Sequence, residues 1–125
     1  MLYSIVAISI GASLGALLRW VFALFLNAST PSVPLGTLLA NLLGGFLIGL
    51  AVAFFEQHQD LSPEWRLFVI TGFLGGLTTF STFSAEVTRM IQDGSLITAF
   101  TTILLHVVGS LAMTFVGIYL FKIIK

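Results

Sequence analysis

Thr71–Met90 reads TGFLGGLTTFSTFSAEVTRM, and its reading decides the fold. No charge occurs from Leu67 to Ala85, yet the middle of this run is poor helix. Gly75-Gly76 is followed by Thr78-Thr79, and hydroxyls occupy Thr78, Thr79, Ser81, Thr82 and Ser84. Glycine weakens a helix interior by about 1 kcal/mol. Ser and Thr can bond back to their own helix carbonyls, so a continuous helix is one reading. The crowding of hydroxyls after a glycine pair favours the other, a break at mid-membrane. Unwound backbone at that depth survives only inside protein or beside a wet cavity. Its freed carbonyls suit a cation, and the N-terminus of a half-helix suits an anion.

The rest of the chain makes a membrane the natural solvent. Among 125 residues, 58% are hydrophobic and 8% charged, against roughly 25% charged in soluble domains. Mean hydropathy is +1.10. Five basic and five acidic residues cannot cover the surface of a soluble fold of this size. An ordinary soluble enzyme, a disordered tail and a nucleic-acid binder are thereby excluded, the last for want of a basic surplus. The absence of Cys removes disulfide scaffolds, thiolate zinc sites and Cys nucleophiles.

Charge-free gaps set the spans. A transmembrane helix needs roughly 20 apolar residues, and the gaps support four, at about 2–26, 35–55, 65–91 and 96–121. None alternates apolar and polar residues as a barrel strand does. The first has no Lys or Arg before its apolar run and exceeds a signal-peptide core. Ser62 reads as an N-cap, with Pro63 at the first helical position and Glu64 in the first turn. Asp93-Gly94-Ser95 is a tight turn that folds the last two spans into an antiparallel hairpin. The expected architecture is one all-α transmembrane domain, 1–125, of four helices with a break in the third.

One face of the membrane receives Arg66, Lys122 and Lys125, and the other lies nearer Arg19 and Arg89. Orientation follows the Lys/Arg imbalance of short loops, and three against two is almost none. Two readings fit: a weakly biased protein inserted one way, or insertion both ways with the two orientations pairing as an antiparallel dimer. Small residues at close-packing spacings, Gly11/Gly15, Gly45/Gly49, Gly72/Gly76 and Gly109/Met113/Gly117, favour an oligomer over four helices enclosing a pore alone.

Several polar groups lie where hydrocarbon is expected. Phe80 and Phe83 share a helix face among hydroxyls, and the positive edges of their rings suit a small anion. Glu86 either pairs with Arg89 at i,i+3 or lines a path. Arg19 either snorkels to the interface or draws anions to a vestibule. Asn41, one turn after Thr37, either bridges helices or offers its NH₂ to an ion. Thr102, His106, Ser110 and Thr114 recur every four residues as one polar stripe, open to the same two readings. Neutral donors suit a dehydrating anion because they replace water without trapping the ion. No nucleotide loop, metal cluster or nucleophile elbow is present in the sequence.

GASLGALLRW, PLGTLLANLLGGFLIG and above all TGFLGGLTTFSTFSAE resemble the Fluc fluoride channels, the CrcB family, across all four spans. The resemblance implies a multi-pass protein of the bacterial inner membrane that is not an enzyme. It implies an antiparallel, dual-topology homodimer with two pores, exporting fluoride that entered as hydrofluoric acid. By motif, Phe80 and Phe83 match the pore phenylalanines and Asn41 the pore asparagine. Ser81, Thr82, Glu86, Ser110 and Thr114 follow the ion track, and Arg19 matches the vestibule arginine. His106 falls where some members carry tyrosine. Gly75 and Thr78 match the positions whose backbone carbonyls hold a structural Na⁺ on the dimer axis. The implied partners are fluoride, lipid and a second copy of the chain, with no nucleic acid. The nearest rival, a small multidrug-resistance-type exporter, needs a membrane-embedded acid generally in the first helix, and here that helix has none.

Overall fold

The computed structural model describes residues 1–30 and 32–125; Pro31, in the first loop, lies outside the described residues. Helix α1 spans Leu2–Leu26 and α2 spans Leu35–Gln57. The third span, Pro63–Gln92, is composite. It opens as α3 (Pro63–Arg66), continues as a π-helical stretch (Leu67–Leu74), tightens into α4 (Gly75–Leu77), and restarts as α5 (Phe80–Gln92). Helix α6 covers Leu96–Ile124. Among the described residues, four spans are long and apolar enough to cross a membrane, and their ends lie within three residues of those set by the charge gaps.

Side-chain register fixes how the spans run. Gly11 and Gly15 of α1 lie against Phe68, Phe73 and Leu77, in ascending order on both, so α1 and the first half of the third span are parallel. Gly45 and Gly49 of α2 lie against Ser110 and Thr114 of α6, again in ascending order. The molecule is therefore two parallel helix pairs, joined by α1 against α2 and where α2 and α6 meet the third span. Both seams depend on missing side chains. A Cβ on Gly72 would sit 2.8 Å from the Ile8 carbonyl oxygen, and one on Gly45 would sit 2.7 Å from that of Ser110. Backbone cannot swing aside, so these contacts require glycine, the usual basis of close helix packing in lipid.

Two clusters of buried side chains flank the break. Ala40, Ala51, Phe55, Leu74 and Leu77 gather on one side, and Phe83, Val87, Met90 and Ala99 on the other. Most of α1 and α6 remains outward-facing and apolar.

The break falls just after the glycine pair, not on it. Gly75 is helical, at φ −63° and ψ −36°, whereas Thr78 (φ −80°, ψ 156°) and Thr79 (φ −149°, ψ 120°) are extended. Gly76 instead lets the chain approach Ala12 of α1. Pro63 begins its helix as expected, but the Ser62 hydroxyl makes no cap bond; the Ser62 carbonyl accepts from Trp65 N–H at 3.1 Å. The hairpin turn closes as a Schellman motif. Ser95 N–H donates to Met90 O at 2.8 Å and Gly94 N–H to Ile91 O at 3.1 Å, with Gly94 at φ +79°.

Candidate functional site at the helix break

Two extended threonines at mid-span leave backbone groups that the helix ladder no longer serves. Asn41 of α2 takes up most of that demand. Its Oδ1 accepts from Thr79 N–H at 2.7 Å, and its Nδ2 donates to Thr79 O at 3.0 Å. One amide thus grips both sides of one residue's backbone. Thr79 also serves as N-cap of α5, its Oγ1 accepting from Thr82 N–H at 3.1 Å. The Thr78 hydroxyl bonds back to Leu74 O at 2.9 Å, so the break and hydroxyl back-bonding coexist.

Asn41 Nδ2 also lies 2.9 Å from His106 Nδ1. The imidazole is 4% exposed and stacks on Phe83, with ring centroids 4.5 Å apart and planes 29° apart. Phe83 is 7% exposed and meets Phe80 edge-on, centroids 5.5 Å apart. Phe80 is 76% exposed. The two rings therefore share a face but not an environment. The Asn41 side chain bridges α2, the break and α6, and both of its donors are engaged.

These groups border one groove of about 520 Å³, lined by Asn41, Gly75, Thr78, Thr79, Phe80, Phe83, His106 and Ser110 among apolar neighbours, and by no acidic or basic residue other than His106. Ser81 Oγ lies 3.3 Å from Thr79 Oγ1, but Ser81 is exposed and lies outside the groove lining, facing a separate concavity with Ser84 and Arg89. A second cavity of about 470 Å³, toward the Asp93–Ser95 turn, contains Thr82, Glu86, Arg89 and Asp93. Glu86 Oε1 accepts from the Thr37 hydroxyl at 2.6 Å, so its hydrogen bond crosses to α2 instead of following the helix to Arg89. Glu86 Oε2 and His106 Nε2 are buried without a partner among the described residues. An unmet buried polar atom costs about 1–3 kcal/mol, which makes both atoms candidates for contact with something that enters the site.

The stripe on α6 divides. Ser110 Oγ donates to Asn41 O at 3.4 Å and Thr114 Oγ1 to Gly45 O at 2.9 Å, holding α6 to α2. Thr102 bonds back to Thr98 O at 2.8 Å and faces Met90 Sδ at 3.5 Å. Arg19 points inward: its Nε donates to Gly76 O at 3.1 Å, placing a cation at the carbonyl end of α4.

The carbonyls of Gly75 and Thr78 fit a hard cation. In an unbroken helix they would accept from Thr79 N–H and Thr82 N–H. Those donors go to Asn41 Oδ1 and Thr79 Oγ1. Both residues line the groove, and oxygen donors of this kind suit Na⁺. Among the described residues, no group of three or more His, Asp or Glu is placed to hold a metal ion.

Thr79 is the pivot of the break, and its position ahead of Phe80-Ser81-Thr82 is an N-cap signal legible in the sequence. Two other contributors escape a reading by local pattern. Thr37 reaches Glu86 across the helix pair. Asn27 caps α2 from nine positions before Gly36, accepting from Gly36 N–H at 2.7 Å and Thr37 N–H at 3.3 Å; ordinary cap spacing does not flag it.

Comparison with known proteins places this arrangement. A family model described as CrcB-like protein, Camphor Resistance (CrcB), matches residues 6–118. The chain belongs to the CrcB-like family. Relatives within it align over nearly their full length. A protein of Tolumonas auensis named "Fluoride-specific ion channel FluC" is 63% identical over 117 residues, covering 94% of this chain and 92% of its own. Bearers of the same name from Pseudomonas putida and Pseudomonas syringae pv. maculicola are 60% and 58% identical, each covering 98% of the relative. The break, the groove and the aromatic pair are thus features of a CrcB-like chain.

Proposed function

We propose that this protein is a fluoride-selective channel of the bacterial inner membrane, passing cytoplasmic fluoride outward by passive electrodiffusion and protecting the cell from it. The observation that carries this reading is the groove at the Thr78–Thr79 break, where hydroxyls, aromatic rings and a buried imidazole meet at mid-span with no fixed acid or base. Such a lining replaces hydration of an anion without holding it too tightly to leave. Relatives named as fluoride-specific channels, at about 60% identity, support the choice of anion. The exporter alternative gains no support, because α1 carries no acid.

The working unit in this reading is an antiparallel homodimer inserted both ways. Support comes from the near-even Lys/Arg split, from the outward-facing apolar surfaces of α1 and α6, and from a groove that is open on one side. The Gly75 and Thr78 carbonyls would hold a Na⁺, which supplies positive charge beside an anion path. Phe80, Phe83, Ser81 and His106 would flank the ion near the break. Ser110 and Thr114 would hold the α2–α6 wall, and Thr82 and Glu86 would lie toward one mouth. Arg19 stabilises the end of α4 behind that wall.

Expression in a bacterium lacking its own fluoride exporter tests the reading. Growth on fluoride should be restored, and equal sensitivity with the protein present in the membrane would contradict it. Adding two Lys to one side tests dual insertion; unchanged tag accessibility and unchanged rescue would count against it.

A further inference from the structure

The orientation of an Asn amide and the tautomer of a His ring are settled by partners that can only give or only take a proton. At this site the deciding partner is backbone. Thr79 N–H can only donate, so the Asn41 atom 2.7 Å from it is the oxygen. The amide nitrogen then faces Thr79 O, which can only accept. The same nitrogen lies 2.9 Å from His106 Nδ1 and presents a hydrogen to it. Nδ1 must therefore carry a lone pair, and the neutral ring keeps its proton on Nε2. Stacking on Phe83 and burial hold the ring in that pose. Nε2 is buried and has no partner among the described residues.

We propose that Asn41 is a positioning residue that sets the His106 tautomer: the extended Thr79 backbone orients the Asn41 amide, and Asn41 makes His106 an Nε2–H donor to a small acceptor in the groove. Both donors of Asn41 are committed to Thr79 O and His106 Nδ1. Its effect on an ion therefore runs through the imidazole. The other tautomer would aim a lone pair at an anion, so the conformation of the break decides whether this ring attracts or repels. The identity of the acceptor as fluoride rests on the channel reading; the tautomer does not.

Nitrogen NMR of the full-length protein in bilayers, with ¹⁵N-labelled imidazole and His58→Gln to leave one histidine, reads this directly. At neutral pH His106 should show a protonated Nε2 and an unprotonated Nδ1. The reverse pattern with Asn41, Thr79 and His106 unchanged overturns the proposal without any variant at the site. Asn41→Asp places an acceptor beside Nδ1 and should move protonation there; retention of the Nε2–H form alone would overturn the role of Asn41. Sodium fluoride should displace the Nε2 resonance where sodium chloride does not. Absence of that displacement removes fluoride as the acceptor, and together with absent rescue of growth it would remove the channel reading while leaving the tautomer result intact.

Discussion

The two halves of the third span solve opposite problems with adjacent sequence. Before the break, Pro63–Leu77 is anchored on α1: Gly72 and Gly76 press backbone against Ile8 and Ala12, and Leu74 and Leu77 are buried. After it, Phe80–Gln92 buries one stripe, Phe83, Val87 and Met90, against α6, and leaves Ser81, Ser84 and Thr88 exposed. The first half is tightly packed against α1 and has little polarity to offer. The second has polar surface and a capped N-terminus at mid-membrane. A tightly packed half positions the break, and a polar half makes it useful.

The sharpest way to break this contrast is to put bulk into the anchored half. Gly76→Leu would drive a side chain into the Ala12 backbone, whose Cα lies 3.0 Å from the ideal Cβ. Overpacking costs about 1–3 kcal/mol, and more where the neighbour cannot yield. Little folded protein should elute on size-exclusion chromatography; a normal elution profile would mean that the α1 seam is looser than described. Next comes Asn41→Asp, which sets a carboxylate against Thr79 O. A loss of about 2–4 kcal/mol at the conducting site corresponds to roughly 30- to 1000-fold slower fluoride flux. Normal conduction would place Asn41 outside the working site.

The aromatic pair sharpens the comparison within the polar half. Phe83→Ile and Phe80→Ile should each reduce flux by about tenfold or more. Only Phe83→Ile should also lower thermal stability, by about 1–3 kcal/mol, because of the two rings only that one is buried within its own chain. Equal stability losses would contradict the assigned burial. The smallest effect belongs to the turn. Gly94→Ala meets nothing within 4 Å but must hold φ near +79°, so it should cost about 1–2 kcal/mol of stability and leave flux unchanged.

Spans, loops and the broken third helix were legible from charge gaps and composition, because lipid penalises every charge and every unmet backbone group. The extended residues lie three positions after the glycine pair. Helix propensity points to Gly75-Gly76, but Gly76 is held helical by its contact with α1, and the extended backbone is shifted to Thr78-Thr79, where Asn41 can serve it. The pairing of Asn41 with His106, and of Thr37 with Glu86, depends on register between helices. Local sequence shows which residues are polar, and only the packed helices show which of them meet. Glu86 illustrates the point: Arg89 is its neighbour by spacing, yet Thr37 is its hydrogen-bond partner.

Ion release from liposomes holding only the purified protein tests the central claim, that the break groove forms a passive path selective for fluoride. Loaded with both fluoride and chloride salts, such vesicles should release fluoride rapidly under voltage alone, without a proton gradient, while chloride stays inside. Release of both anions together, dependence on a proton gradient, or no release from folded protein would contradict it.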